Sequence, residues 1–253
     1  MPSTQPRGAA RKVLEFYDAL GIERMPLDLD ALRRLAESAP PQPAPSTSEL
    51  VMKTDRKHIP KAKGIAMVEL QHKLGDCHRC RLSAGRTHIV FGEGDPNARL
   101  MFIGEGPGRD EDEQGRPFVG EAGQLLTRLI ERMGFKREEV YIANIVKCRP
   151  PGNRDPEDDE IASCIPFVTE QARIVAPTVI MALGRVATQS LLRTKTAISR
   201  LRGTLQHFED IPVMPTFHPA FLLHNSDQER KINKLLVWED ALKVLALMGR
   251  TPK

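Results

Sequence analysis

The sequence predicts an α/β protein built on a mostly parallel four-stranded sheet with helices on both faces, plus an N-terminal helical extension. Three observations carry this. Four short apolar runs, at residues 99–104, 140–146, 178–184 and 211–217, have the length and continuous apolarity of buried strands. Helical patterns separate the first three runs, which makes the connections crossovers and the strands parallel. The 253 residues, 40% hydrophobic and 28% charged, suit a globular chain with one sizeable core and an appendage.

The extension comes first. Residues 1–38 place Val13, Phe16, Tyr17 and Leu20, then Leu29, Leu32 and Leu35 beyond Pro26, at helical spacing. A linker follows over 39–64. Its first part, APPQPAPSTS, offers too little apolar surface to order itself. Its second, KTDRKHIPKAKG, is basic and reads either as a solvated approach to the next domain or as an electrostatic arm for DNA. The main domain occupies 65–253.

Within that domain RLMFIG is the first strand and AGQLLTRLIERMG the first helix. VYIANIV is the second strand. DPEDDEIASCIPFVTEQARIVAP is a helix starting near Asp155 or Asp158. TVIMALG, a helix over 187–192, IPVMPTF and a long helix over 227–248 complete the order. In a sheet of this kind the working site lies at the carboxyl ends of the strands.

Formal net charge is +4, which permits nucleic-acid binding without demonstrating it. The first residues show no apolar signal segment, and no run approaches the ~18 apolar residues of a membrane span. A cytoplasmic location is expected. Four cysteines in such a chain point to a metal or redox site before disulfides. Cys77 and Cys80 form C-x2-C, Cys148 ends the second strand, and Cys164 lies in a helix. Spacing alone leaves three readings open: an iron–sulfur cluster, structural zinc, and unrelated buried thiols. Arg79, Arg81, Lys147 and Arg149 stand close enough in sequence to offset thiolate charge.

The most informative stretch is GEGPGRDEDEQGRPFVG, from Gly104 to Gly120. It follows a strand, yet it is no dinucleotide loop, because Arg109 stands where a third glycine belongs and no Walker lysine follows. Its glycines let a flat object approach the backbone, Glu105 sits at the strand end, and Phe118 can stack. A flat ligand, an acid and a basic surface suggest nucleobase chemistry.

Together with NIVKCRPPGNRDP, C-x15-C and the late HPAFLL, this stretch resembles the iron–sulfur (family 4) uracil-DNA glycosylases over roughly residues 70–247. The resemblance implies a three-layer α/β/α sandwich and a structural [4Fe–4S] cluster on Cys77, Cys80, Cys148 and Cys164. The implied activity is excision of uracil from single- or double-stranded DNA. Residue by residue it implies that uracil stacks on Phe118 and has its edge read by Asn144. His218 would then donate to O2 as the glycosidic bond breaks. Glu105 would orient the attacking water, and Gly106 would leave room for the base. Glu111 would be a second acidic pocket residue that refuses a thymine methyl. Phe221 and Leu222 would be wedges, and Arg109, Arg116, Arg149 and Arg154 phosphate contacts. Asp110, Asp112 and Glu113 are expected to be solvated loop charges.

No lysine in these motifs stands as a Schiff-base nucleophile, so a monofunctional, monomeric hydrolase is expected, with the extension free to meet a replication or repair partner. Two rivals stay open: a glycosylase of broader specificity, acting on hypoxanthine or xanthine, and a non-catalytic DNA-binding module retaining the fold.

Overall fold

The computed structural model describes residues 59–223 and 226–252. The expected extension over 1–38 and most of the linker lie outside the described residues. The linker's end does not. Helix α1 spans Ile59–Leu74, so residues 59–64 are helical. The reason is anchorage: Met67, Leu70 and Leu74 are buried in the core. Lys63 is likewise no solvated charge. Its Nζ donates to the Val175 carbonyl at 2.7 Å, capping the end of another helix, where a cation is favourable.

Six strands form one sheet: β1 (Glu93–Gly94), β2 (Leu100–Gly104), β3 (Tyr141–Asn144), β4 (Val179–Leu183), β5 (Gln206–Phe208) and β6 (Ile211–Thr216), in the order β1-β3-β2-β4-β6-β5. The four expected strands are the central parallel set β3-β2-β4-β6. The short edges β1 and β5, both antiparallel, lengthen the sheet beyond the expected four strands. Two- and three-residue strands carry too little periodicity to be read from sequence.

Helices cover both faces. They are α2 (Arg109–Gln114), α3 (Glu121–Arg132), α4 (Asp158–Val175), α5 (Gly184–Leu192), α6 (Ile198–Leu201) and α7 (Asp227–Leu247). Alternation along β2 shows the layering. Met101 and Ile103 pack with Met67 and Leu70 of α1, Val168 and Ala172 of α4, and Leu191 of α5. Leu100 and Phe102 pack with Leu126 and Ile130 of α3 and Ala241 and Val244 of α7. The result is a three-layer α/β/α sandwich. Helix α7 opens on a reciprocal cap, in which the Ser226 N–H donates to Glu229 and the Glu229 N–H donates to Ser226 Oγ.

Parallel strands aim their carboxyl ends in one direction. The loops that leave β2, β3, β4 and β6 at Gly104, Asn144, Leu183 and Thr216 therefore surround a common space.

Candidate active site

That space is a cleft of about 910 Å³, lined among others by Glu105, Phe118, Asn144, Gly184, Arg185 and His218. Each wall has a local cause.

Phe118 holds a left-handed backbone, φ 52°, which is uncommon for a bulky residue and marks an imposed conformation. Two glycines make room for it, one beside the backbone and one beside the ring. A Cβ at Gly123 would lie 2.0 Å from the Phe118 carbonyl, and one at Gly104 would lie 2.4 Å from its ring. The ring is buried, with its centroid 5.6 Å from that of His218.

Asn144 ends β3 and is 1% exposed. Its Oδ1 is buried and, among the described residues, has no hydrogen-bond partner. An unpaired buried acceptor costs about 1–3 kcal/mol, so it waits for a donor from the cleft. The backbone around it is fixed, because the Ile145 N–H donates to the Gly104 carbonyl at 2.9 Å and the Val146 N–H to the Glu105 carbonyl at 3.0 Å.

His218 follows β6 and packs on Gly184, whose φ of 87° and missing Cβ make room for it. The Ala220 N–H donates to His218 Nδ1 at 3.2 Å, which leaves the proton on Nε2. Burial lowers the imidazole pKa to about 4, with Glu111 opposing, so the ring is a neutral donor.

Glu105 follows β2. Burial first, then the nearby Asp155 carboxylate, raises its pKa to about 7, against the pull of Arg185. Asp155 and Arg185 form an ion pair at the same cleft. Neither was expected from the sequence, since nothing in it shows that α5 faces the loop after β3. At Gly106 a Cβ would stand 2.7 Å from Val146 Cγ2, so the backbone approaches its neighbour closely there.

Several expected residues are engaged otherwise. Glu111 lines the cleft, but its carboxylate accepts from the backbone N–H groups of Gly108 at 3.1 Å, Val119 at 2.8 Å and Gly120 at 2.9 Å. It is a clamp on the loop, its two oxygens accepting three backbone N–H bonds. Asp112, expected in solvent, is buried and accepts from the N–H groups of Thr87 and His88. Asp110 lines the cleft and Glu113 is exposed.

The arginines divide. Arg109 and Arg149 line the cleft, Arg149 donating to Asn153. Arg154 also lines it, but its guanidinium grips the buried Glu160 carboxylate at 2.7 and 2.8 Å. Arg116 is held by Glu93 at 2.8 Å, away from the cleft lining. Phe221 is 45% exposed at the rim, its ring 5.2 Å from Phe217, whereas Leu222 is buried and cannot act as a wedge.

The four cysteines meet on one side of the sheet. Cys148 and Cys164 belong to the core there, with Cys77 and Cys80 packed against it. Cys148 lies in the loop beyond β3, which ends at Asn144. N–H groups face three of the sulfurs: Arg79 toward Cys77 at 3.1 Å, Arg86 toward Cys148 at 3.5 Å and the Lys147 backbone toward Cys164 at 3.3 Å. Burial raises the Cys148 thiol, offset by Arg86, and lifts Cys164 to about 11. Among the described residues no three His, Cys, Asp or Glu side chains converge on a single-ion site. The Cys148 thiol senses Cys77 and Cys80, and Cys164 senses Cys148 and Cys80; cysteines this close, faced by two guanidinium groups and a backbone N–H, have the donor set of a group larger than a single ion.

Comparison with known proteins adds to this geometry. The family model described as the uracil DNA glycosylase superfamily matches residues 91–242. The chain is 41% identical over 197 residues to a type-4 uracil-DNA glycosylase of Sulfurisphaera tokodaii, covering 74% of this chain and 87% of that one. It is 45% identical over 183 residues to a type-4 enzyme of Thermotoga maritima, covering 72% and 94%. A type-5 uracil-DNA glycosylase of Pyrobaculum aerophilum is 29% identical over 150 residues, covering 53% and 66%. With its sandwich, its cleft at the strand ends and these relatives, the chain belongs to the uracil-DNA glycosylase superfamily, alongside the type-4 enzymes.

Proposed function

We propose that this protein excises uracil from DNA, hydrolysing the N-glycosidic bond to release the free base and leave an abasic site. The observation that carries the reading is the buried, partnerless Oδ1 of Asn144 facing the cleft beside the Phe118 ring.

A base within a duplex hides its edge and its glycosidic bond, so the nucleotide is extruded into the cleft. Phe118 then supplies a stacking face. Asn144 Oδ1 accepts from uracil N3–H and its amide NH2 donates to O4, which reverses the demand cytosine would make. Buried mismatches of this type can cost about 10⁴–10⁵ in rate. As the C1′–N1 bond breaks, negative charge collects on O2. The neutral Nε2–H of His218 donates there without having to lose a charge of its own. Glu105 in its ionised form orients water toward C1′ and favours the oxocarbenium-like sugar. Glu111 acts through the loop it clamps. Phosphates at the rim meet Arg109 and Arg149, and Phe221 presses into the vacated stack.

Cys77, Cys80, Cys148 and Cys164 would hold a [4Fe–4S] cluster. When bound, it supplies structural cross-linking and no redox step. A brown preparation with a broad visible band and iron supports this, and a colourless one with stoichiometric zinc overturns it.

The test is release of free base from single- and double-stranded DNA bearing uracil, beside hypoxanthine, xanthine and G·T substrates. Uracil release that falls at least about 100-fold in Asn144→Ala is expected. Protein with full iron content that releases no uracil overturns the reading.

A further inference from the structure

Lys147 is 1% exposed, yet no carboxylate pairs with it among the hydrogen bonds and ion pairs of the described residues. Its Nζ donates to the Asn144 backbone carbonyl at 2.8 Å and to Gln171 Oε1 at 2.6 Å, with the Phe91 ring 5.9 Å away. Burying an ammonium is costly, and a core position this size would be filled more cheaply by methionine or leucine. A buried ammonium in place of such a side chain points to a role that a neutral side chain cannot fill.

The rest of the residue is equally committed. Its backbone N–H faces Cys164 Sγ at 3.3 Å, and its carbonyl accepts from the Val90 N–H at 2.8 Å. Gln171 is itself locked, its Nε2 donating to the Phe91 carbonyl at 2.9 Å and to Tyr141 Oη at 3.1 Å. One residue therefore spans from a cysteine sulfur to the backbone of the residue whose side chain reads the base. Strand β3 ends at Asn144, and beyond it the Ile145 and Val146 N–H groups still bond the Gly104 and Glu105 carbonyls, while the Asn144 carbonyl is held by the lysine ammonium.

We infer that Lys147 is a positioning residue for uracil recognition, its ammonium holding the Asn144 carbonyl so that the Asn144 amide meets the base edge. This rests on the base-reading role proposed for Asn144. The lysine touches neither substrate nor reacting atoms; it acts through the asparagine.

A double-mutant cycle on the cluster-loaded enzyme tests it. Single-turnover uracil release is measured for the wild type, Lys147→Met, Asn144→Ala and the double variant, with iron per chain and the visible band followed in each. Lys147→Met is expected to slow release roughly 10–100-fold in the wild-type background, the range a small misplacement costs. It should change the rate by less than about twofold where Asn144 is already alanine. Iron content should stay at the wild-type value. An equal loss in both backgrounds, or loss of iron, overturns the inference. Should Lys147→Met yield no folded protein, Gln171→Leu removes the second acceptor that aims the ammonium, and the same cycle with the same outcomes applies. The two readings fail differently. If Asn144→Ala alone releases uracil at the wild-type rate, the base-reading role itself is lost. A slow Asn144→Ala combined with an additive Lys147 loss defeats only the lysine's part.

Discussion

The Ala220 N–H donates to His218 Nδ1 at 3.2 Å, and this one bond decides which histidine nitrogen faces the cleft with a proton. Nitrogen-detected NMR should find the Nε2–H tautomer, with half-protonation only at about 4, as burial dictates. His218→Ala should lower uracil release at least about 100-fold. A ring that titrates near the ordinary histidine value would contradict the neutral-donor reading.

Glu105 gives the pH profile its sign. Its carboxyl titrates at about 7, and the ionised form is the one assigned to the water, so kcat/KM should rise as pH climbs through that value. Glu105→Gln should flatten the rise. Asp155→Asn removes a neighbouring charge that raises the Glu105 pKa and should move the inflection downward. An unchanged inflection in Asp155→Asn would show that the pair is uncoupled.

Gly104 separates the stacking ring from the base reader. A Cβ there would sit 2.4 Å from Phe118 Cζ and 2.5 Å from Asn144 Oδ1, so Gly104→Ala must displace one of them. We expect uracil release to fall about 100-fold, with iron content intact. Wild-type rates in this variant would mean that neither contact is critical.

Adjacent residues at the rim should part company. Leu222→Ala empties a buried site and should cost about 2–5 kcal/mol of stability, read from denaturant unfolding. Phe221→Ala should leave stability within about 0.5 kcal/mol. It should instead slow release from double-stranded DNA more than from single-stranded DNA. Equal slowing on both substrates would remove the wedge assignment.

The proposed cysteine-held cluster gives the last expectation. Under the proposed [4Fe–4S] assignment, Cys148→Ser should yield protein without the visible band and with weaker folding, because a group held by the four sulfurs would tie the segments around residues 77–80, 148 and 164 together. A coloured, fully stable Cys148→Ser would count against the ligand set.

Much of this was legible in the chain. The central strands announce themselves because strands buried on both faces must be apolar throughout, as Leu100 to Ile103 are. Phe118 stood out as a ring in the glycine-rich loop after the first strand, whereas Asn144 and His218 were expected from the resemblance to the family. Partnership was the illegible part. Arg116 and Arg154 look like phosphate ligands in two separate loops, and only the fold brings Glu93 and Glu160 to them. Asp112 sits in a run of acids that reads as solvated, while the turn at Thr87 draws it inward. Glu111 drew attention for its charge, whereas its use lies in three backbone amides. Lys147 appeared as one more cation near a cysteine, because sequence does not reveal burial depth.

The parallel order of the central strands also bears on how the molecule comes into being. Gly104, Asn144, Gly184 and His218 end or follow four different parallel strands, joined by three crossover connections, and no hairpin or single helix contains two of them. Pairings between distant segments form slowly, because loop-closure entropy is spent before any contact repays it. The cleft should therefore be among the last features to mature. During refolding, helical circular dichroism should recover ahead of activity, and a nascent chain not yet synthesised through His218 should have no competence at all.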